Sequence, residues 1–268
     1  KILGYTGVYD SDYYDAFHKW CLDNYDWIFP KEELTFSQGI IPALYQLIED
    51  LVKPYNGKVL TMTPAYSHFL HACTYNQVQL VCSPLQKKDS GFEIDFDDFD
   101  KKASDPDVKM LMLCNPHNPT GRVWTESELQ HIAQTCEKYG LWIVSDEIHC
   151  DLLRTGLKHI PMGKIMPDYD RLVTCMSASK TFNLAGLCFS DIIIRNAEER
   201  KRFVARDKTR SAINPLSLAA HQAAYQEGSQ WLNELKAYLD GNLNFVKEFL
   251  EVNIPSASFQ MPEATYFS

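Results

Sequence analysis

The chain has 268 residues, 45% of them hydrophobic and 23% charged, enough to bury the core of an enzyme-sized body. Its formal net charge is -9 and its pI about 5.4, so no basic footprint argues for nucleic acid. The longest apolar runs, 108–114 and 141–144, fall far short of a membrane span. No charged-then-apolar leader opens the chain, which starts at Lys1 without a methionine; this points to a processed protein or a cut-down chain. Eight cysteines form no C-x-x-C pair and lie mostly in apolar segments, which predicts reduced core cysteines in a cytoplasmic protein. His68 and His71 stand three apart without a second cluster, and no metal site is expected.

In chain order, Asp10 or Ser11 caps a predicted helix over 12–24, with Phe17, Trp20, Cys21 and Tyr25 inward. Residues 35–39 read as a short strand ending in a turn. Ile41, Leu44, Leu47, Ile48 and Leu51 recur at helical spacing, and Lys53-Pro54 ends that helix. Strands follow at 58–62 and 77–82 around a helix at 65–75, then a short helix at 95–102 under an acidic cap. The run 108–114 is apolar on both faces, as a central parallel strand requires. Thr125 and Glu128 sit at capping-box spacing at the head of a helix over 125–139, and Gly140 stops it. Strands at 141–145, 172–176 and 189–195 and helices at 197–206, 215–226 and 231–252 complete the pattern. Residues 257–260 and 265–267 read as the first strands of a further unit. Alternation at this spacing predicts an α/β fold with a largely parallel, doubly covered sheet.

Polar groups follow three of the apolar strands. Cys114-Asn-Pro-His-Asn-Pro-Thr-Gly121 follows the first, Ser145-Asp-Glu-Ile-His149 the second and Ser177-Ala-Ser-Lys180 the third. Parallel strands bring such ends to one edge of a sheet, where open α/β folds bind ligands. Asn118, Asp146 and Lys180 are therefore expected to converge. A buried lysine loses its charge readily, and its amine can attack a carbonyl. With a carboxylate to keep a ring nitrogen protonated and an amide to face a phenolic oxygen, this set is what pyridoxal 5'-phosphate needs.

The same motifs, continued as Lys180-Thr-Phe-Asn-Leu-Ala-Gly186, resemble pyridoxal-phosphate enzymes of the aspartate-aminotransferase fold. Within them the chain is most similar to the cystathionine β-lyase-like branch, the C–S lyases that include cystalysin and the maltose-regulon modulator. The resemblance implies a fold-type-I large domain over 1–230, with 231–268 forming a linking helix and the beginning of a small C-terminal α+β domain. It implies that Lys180 carries the cofactor aldehyde, that Asp146 meets the pyridine nitrogen and that Asn118 meets the ring hydroxyl. By the same resemblance Tyr66 stacks on the ring. Gly39, Ile40 and Ile41 open a helix that binds the phosphate. Ser177 contacts the phosphate, and Ser179 assists. Tyr5 reaches the phosphate of a neighbouring subunit, which implies a homodimer.

Two positions depart from many aminotransferases of this fold. Cys188 stands where they carry an arginine, and His149 where they carry a tyrosine. Both departures suit the C–S lyase branch; His149 is open to a structural or an acid–base role. The implied activity is β-elimination on cystathionine or cysteine S-conjugates, with a transaminase on the same cofactor as the alternative and a regulatory binding role as a further rival. The arginine that grips the substrate carboxylate in this family is expected beyond Ser268.

Overall fold

Strands without a polar face set the centre of the fold. A computed structural model describes residues 11–88, 91–206 and 213–266. The strands are β1 (Leu34–Ser37), β2 (Lys58–Thr63), β3 (Gln79–Pro84), β4 (Gln86–Lys88), β5 (Gly91–Glu93), β6 (Val108–Cys114), β7 (Trp142–Asp146), β8 (Leu172–Met176) and β9 (Ser190–Ile194). The helices are α1 (Ser11–Tyr25), α2 (Ile40–Leu51), α3 (Ser67–Asn76), α4 (Phe96–Ala103), α5 (Glu126–Tyr139), α6 (Met162–Ile165), α7 (Ala178–Thr181), α8 (Ala197–Arg206), α9 (Pro215–Glu227) and α10 (Ser229–Asn253).

Seven strands form one sheet in the order β1-β9-β8-β7-β6-β2-β3. The five from β8 to β3 run parallel. The strand β9 runs antiparallel to β8, and β1 antiparallel to β9, so β1 again points the same way as the parallel set. The sheet is thus mostly parallel, as expected, with one reversed strand inside it. Helices cover both faces. Along β6, Met110, Met112 and Cys114 enter a core shared with α2, α3 and α8, whereas Leu111 and Leu113 enter a second core under α4 and α5. This is the two-residue alternation of a strand with both faces buried. A third, aromatic core joins α1 and α9 to β9: Tyr13 lies edge-on to Phe36 and Phe189, at 5.6 and 5.3 Å between ring centroids.

Local signals act where they were read. Thr125 and Glu128 close a reciprocal capping box on α5, and Gly140 ends it in the left-handed region at φ 65°. The Asp95 carboxylate caps α4 by accepting from the Asp98 amide at 3.1 Å. Residues 257–260 are irregular, however, and among the described residues the only extended pairing of the following stretch is a single antiparallel bridge between Leu153 and Ala264. The segment spends its backbone groups on the large body instead. Ala264 N–H donates to Gly121 O and Thr265 N–H to Leu152 O, each at 2.8 Å, while Arg154 Nη2 donates to Thr265 O at 2.7 Å. Thr265 sits at φ 70°, which no continuous strand tolerates.

Candidate active site

In register, Cys114 of β6 faces Asp146 of β7, and Asp146 faces Cys175 of β8. Loops that leave these neighbouring strand ends must therefore meet, and they do so around one cavity of about 270 Å³. Asn118 comes from the loop after β6, Asp146 and His149 from the end of β7, and Ser179 and Lys180 from α7. The strand β1 ends at the same edge and delivers Gly39, Ile40 and Ile41 at the head of α2, while the loop after β2 delivers Tyr66. Because β9 is reversed, its start lies at this edge too, so Cys188, Phe189 and Ser190 complete the wall.

Nearly every predicted site residue within the described stretches is thus in one place. Ser177 is the exception. It is buried behind the wall, where its hydroxyl donates to Phe189 O at 2.8 Å and accepts the Ser179 amide at 3.1 Å, capping α7. That commitment leaves Ser179, not Ser177, facing the cavity. Lys180 is half-buried rather than enclosed. Tyr5 lies outside the described residues. Cys114, Ile148 and Phe189 line the site without having been singled out as site residues; Ile148 adjoins His149 in the chain and Cys114 faces Asp146 across the sheet, while Phe189 adjoins no predicted site residue.

Burial dominates the electrostatics. It pushes the Asp146 carboxyl up to about 7, against the Ile148 amide and the charge of Lys180, which favour ionisation. It drives His149 down to about 4, and Lys180 adds to that depression. The Tyr66 hydroxyl is raised by burial and then by Asp146. At the head of α2, Gly39 has φ 120° and no side chain to cap the helix, and the first turn carries no acidic residue. Its leading amides are therefore left for an anion.

A phosphate at α2, a ring nitrogen at Asp146, a phenolic oxygen at Asn118 and an aldehyde at Lys180 are the groups pyridoxal 5'-phosphate presents, and the donor set fits them. Burial disfavours the charged form of Asp146, and a cationic ring N–H beside it would favour that form again. Among the described residues, no cluster of three or more His, Cys, Asp or Glu side chains could hold a metal ion.

The fold and site define an aminotransferase-type α/β enzyme. The chain matches the family "Aminotransferase class I and II" over residues 6–268 and belongs to it. It is 37% identical to cystathionine beta-lyase PatB of Bacillus subtilis, over 99% of this chain and 69% of that protein. It is 31% identical to MalY of Escherichia coli, over 100% of this chain and 68% of that protein. The structure of the PLP-bound C-S lyase from Staphylococcus hominis matches with a TM-score of 0.95 at 46% identity, covering 99% of this chain and 67% of that one. Cystalysin from Treponema denticola, which contains pyridoxal 5'-phosphate, matches with a TM-score of 0.94 at 35% identity, covering 99% and 68%.

Proposed function

We propose that the protein is a pyridoxal-phosphate-dependent carbon–sulfur β-lyase that cleaves cystathionine or cysteine S-conjugates to a thiol, pyruvate and ammonia. The observation that carries this reading is the convergence of Lys180, Asp146 and Asn118 on one cavity, in a chain 46% identical to a C-S lyase. Lys180 holds the cofactor through its aldehyde carbon. Asp146 keeps a proton on the ring nitrogen, Asn118 donates to the ring oxygen, Tyr66 stacks on the ring, and the α2 amides with Ser179 bind the phosphate. When bound, the cofactor supplies an electron sink for the pair released at the substrate α-carbon. With the cofactor's aldehyde engaged by the substrate amine instead, the Lys180 Nζ would be the base that takes the α-proton. The bond from the β-carbon to sulfur then breaks, sulfur leaves with the electron pair and takes up a proton, and one water releases the remaining carbons as pyruvate and ammonia. His149, driven down to about 4, stays neutral beside the ring at working pH.

The reading extends to the whole protein. A large domain over 1–230 followed by the beginning of a second unit at 231–268 is supported by α10, whose Trp231, Tyr238, Phe245 and Val252 recur every seventh residue and are exposed. A homodimer in which Tyr5 reaches the neighbouring site rests on the family resemblance. A cytoplasmic location is supported by eight cysteines that are all free; no helix among the described residues is long and apolar enough to cross a membrane.

Incubation with cystathionine is expected to yield pyruvate and free thiol in equal amounts, and Lys180→Ala is expected to abolish both. Accumulation of the cofactor's amine form with no pyruvate would identify a transaminase instead.

A further inference from the structure

Lys180 rides on α7, a single turn of four residues. So short a helix has no stability of its own and takes its position from what holds its ends. Ser177 holds the first end. At the other, the Thr181 hydroxyl, fully buried, donates to Asp151 Oδ2 at 2.7 Å. The Asp151 carboxylate is itself buried, and its second oxygen accepts from Trp20 Nε1 at 3.1 Å and from the Tyr25 hydroxyl. Trp20 also lies edge-on to Phe182, 5.6 Å away, two residues past the lysine.

Asp151 belongs to the loop that carries Asp146 and His149 to the cavity. One carboxylate therefore ties that loop to the turn that bears the amine, and braces both against α1. Three donors satisfy it, from residues 131, 126 and 30 positions away in the chain. Burying a carboxylate is costly even when it is fully hydrogen-bonded, and an apolar side chain would fill the space more cheaply. What the carboxylate adds is a fixed direction at each of its oxygens.

We infer that Asp151 is a positioning residue for Lys180, acting through the hydroxyl of Thr181 to hold the amine in register with the loop that presents Asp146. The inference rests on the reading of Lys180 as the reactive amine. The most direct variant is Thr181→Val, which removes the hydroxyl at nearly constant volume, with Thr181→Ser as its rescue.

Two readouts separate this role from plain support of the fold. In cofactor-free protein, acetic anhydride labelling of Lys180, read by mass spectrometry, is expected to speed up about threefold in Thr181→Val as the loosened turn lets the amine into solvent, and to return to the wild-type rate in Thr181→Ser. In cofactor-loaded protein, kcat is expected to fall about tenfold in Thr181→Val with KM within about twofold of wild type, and the pH midpoint of the cofactor's visible absorbance is expected to move. Should Thr181→Val not fold, Asp151→Asn is read in the same way. Wild-type labelling rate and absorbance midpoint in either variant, or a Thr181→Ser protein as impaired as Thr181→Val, would overturn the inference. A wild-type protein that binds no cofactor and forms no pyruvate would sink the lyase reading alone, since the labelling experiment needs neither.

Discussion

Burial moves Asp146 and His149 in opposite directions on the pH scale, and in both cases favours the uncharged form. For Asp146 this has a thermodynamic consequence. In the unfolded chain a carboxyl ionises near its ordinary value of about 3.9, whereas the folded protein keeps the proton up to about 7. Between those limits the folded state binds more protons than the unfolded one. Stability attributable to this group is therefore present at low pH and is lost as pH rises from about 4 to about 7, at up to roughly 1.4 kcal/mol per pH unit. Asp146→Asn removes the group. In cofactor-free protein its Tm advantage over wild type is expected to grow from pH 4 to pH 7 and then to level off. A Tm difference that is the same at pH 5 and pH 8 would show that burial does not govern this carboxyl. With cofactor bound the order reverses, because the variant offers the ring nitrogen no charge.

At the scale of elements, the head of α2 and the middle of β6 make different demands. Gly39 holds φ 120°, which side chains rarely adopt, although a Cβ there would meet nothing closer than Pro42 at 3.6 Å. The constraint is backbone conformation, not space. Gly39→Ala is expected to cost about 1–2 kcal/mol of stability and to weaken cofactor binding by tilting the leading amides. An absorbance titration with pyridoxal phosphate, together with thermal melts, checks both effects. Leu111, fully buried in β6 beneath α4 and α5, makes no contact with the cavity. Leu111→Ala is expected to cost about 2–5 kcal/mol in urea unfolding while leaving cofactor affinity in the surviving folded protein unchanged. Loss of affinity in that variant would mean the sheet transmits strain to its edge.

Across the whole molecule, what could be read from the chain was whatever has a local cause. Asn118, Asp146 and Lys180 each follow an apolar strand directly, and adjacent parallel strands leave their loops nowhere else to go. The capping box on α5 and the left-handed Gly140 are likewise written within a few residues. The direction of β9 is not, since nothing within Ser190–Ile194 says whether the strand pairs parallel or antiparallel with β8. The hairpin of β4 and β5 escaped because Gln86, Lys87 and Lys88 are all exposed and carry no apolar rhythm. Ser177 matched a motif, but its hydroxyl had a nearer use in capping α7. No pattern links Trp20 to Asp151 across 131 positions; only the closed fold does.

That span bears on the order in which the molecule can be made. Tyr13 is tied to Asp191 across 178 positions, Arg122 to Glu263 across 141 and Arg154 to Thr265 across 111. The last two anchor the loops that follow β6 and β7, and distant contacts form only after the intervening chain has closed on itself. On a ribosome, the strands through β8 would emerge with Lys180 already exposed but with the strap at 262–266 still unmade. Tight capture of the cofactor is thus expected to wait until this strap has emerged, and a nascent chain stalled before residue 260 should hold pyridoxal phosphate far more weakly than one extended beyond the strap.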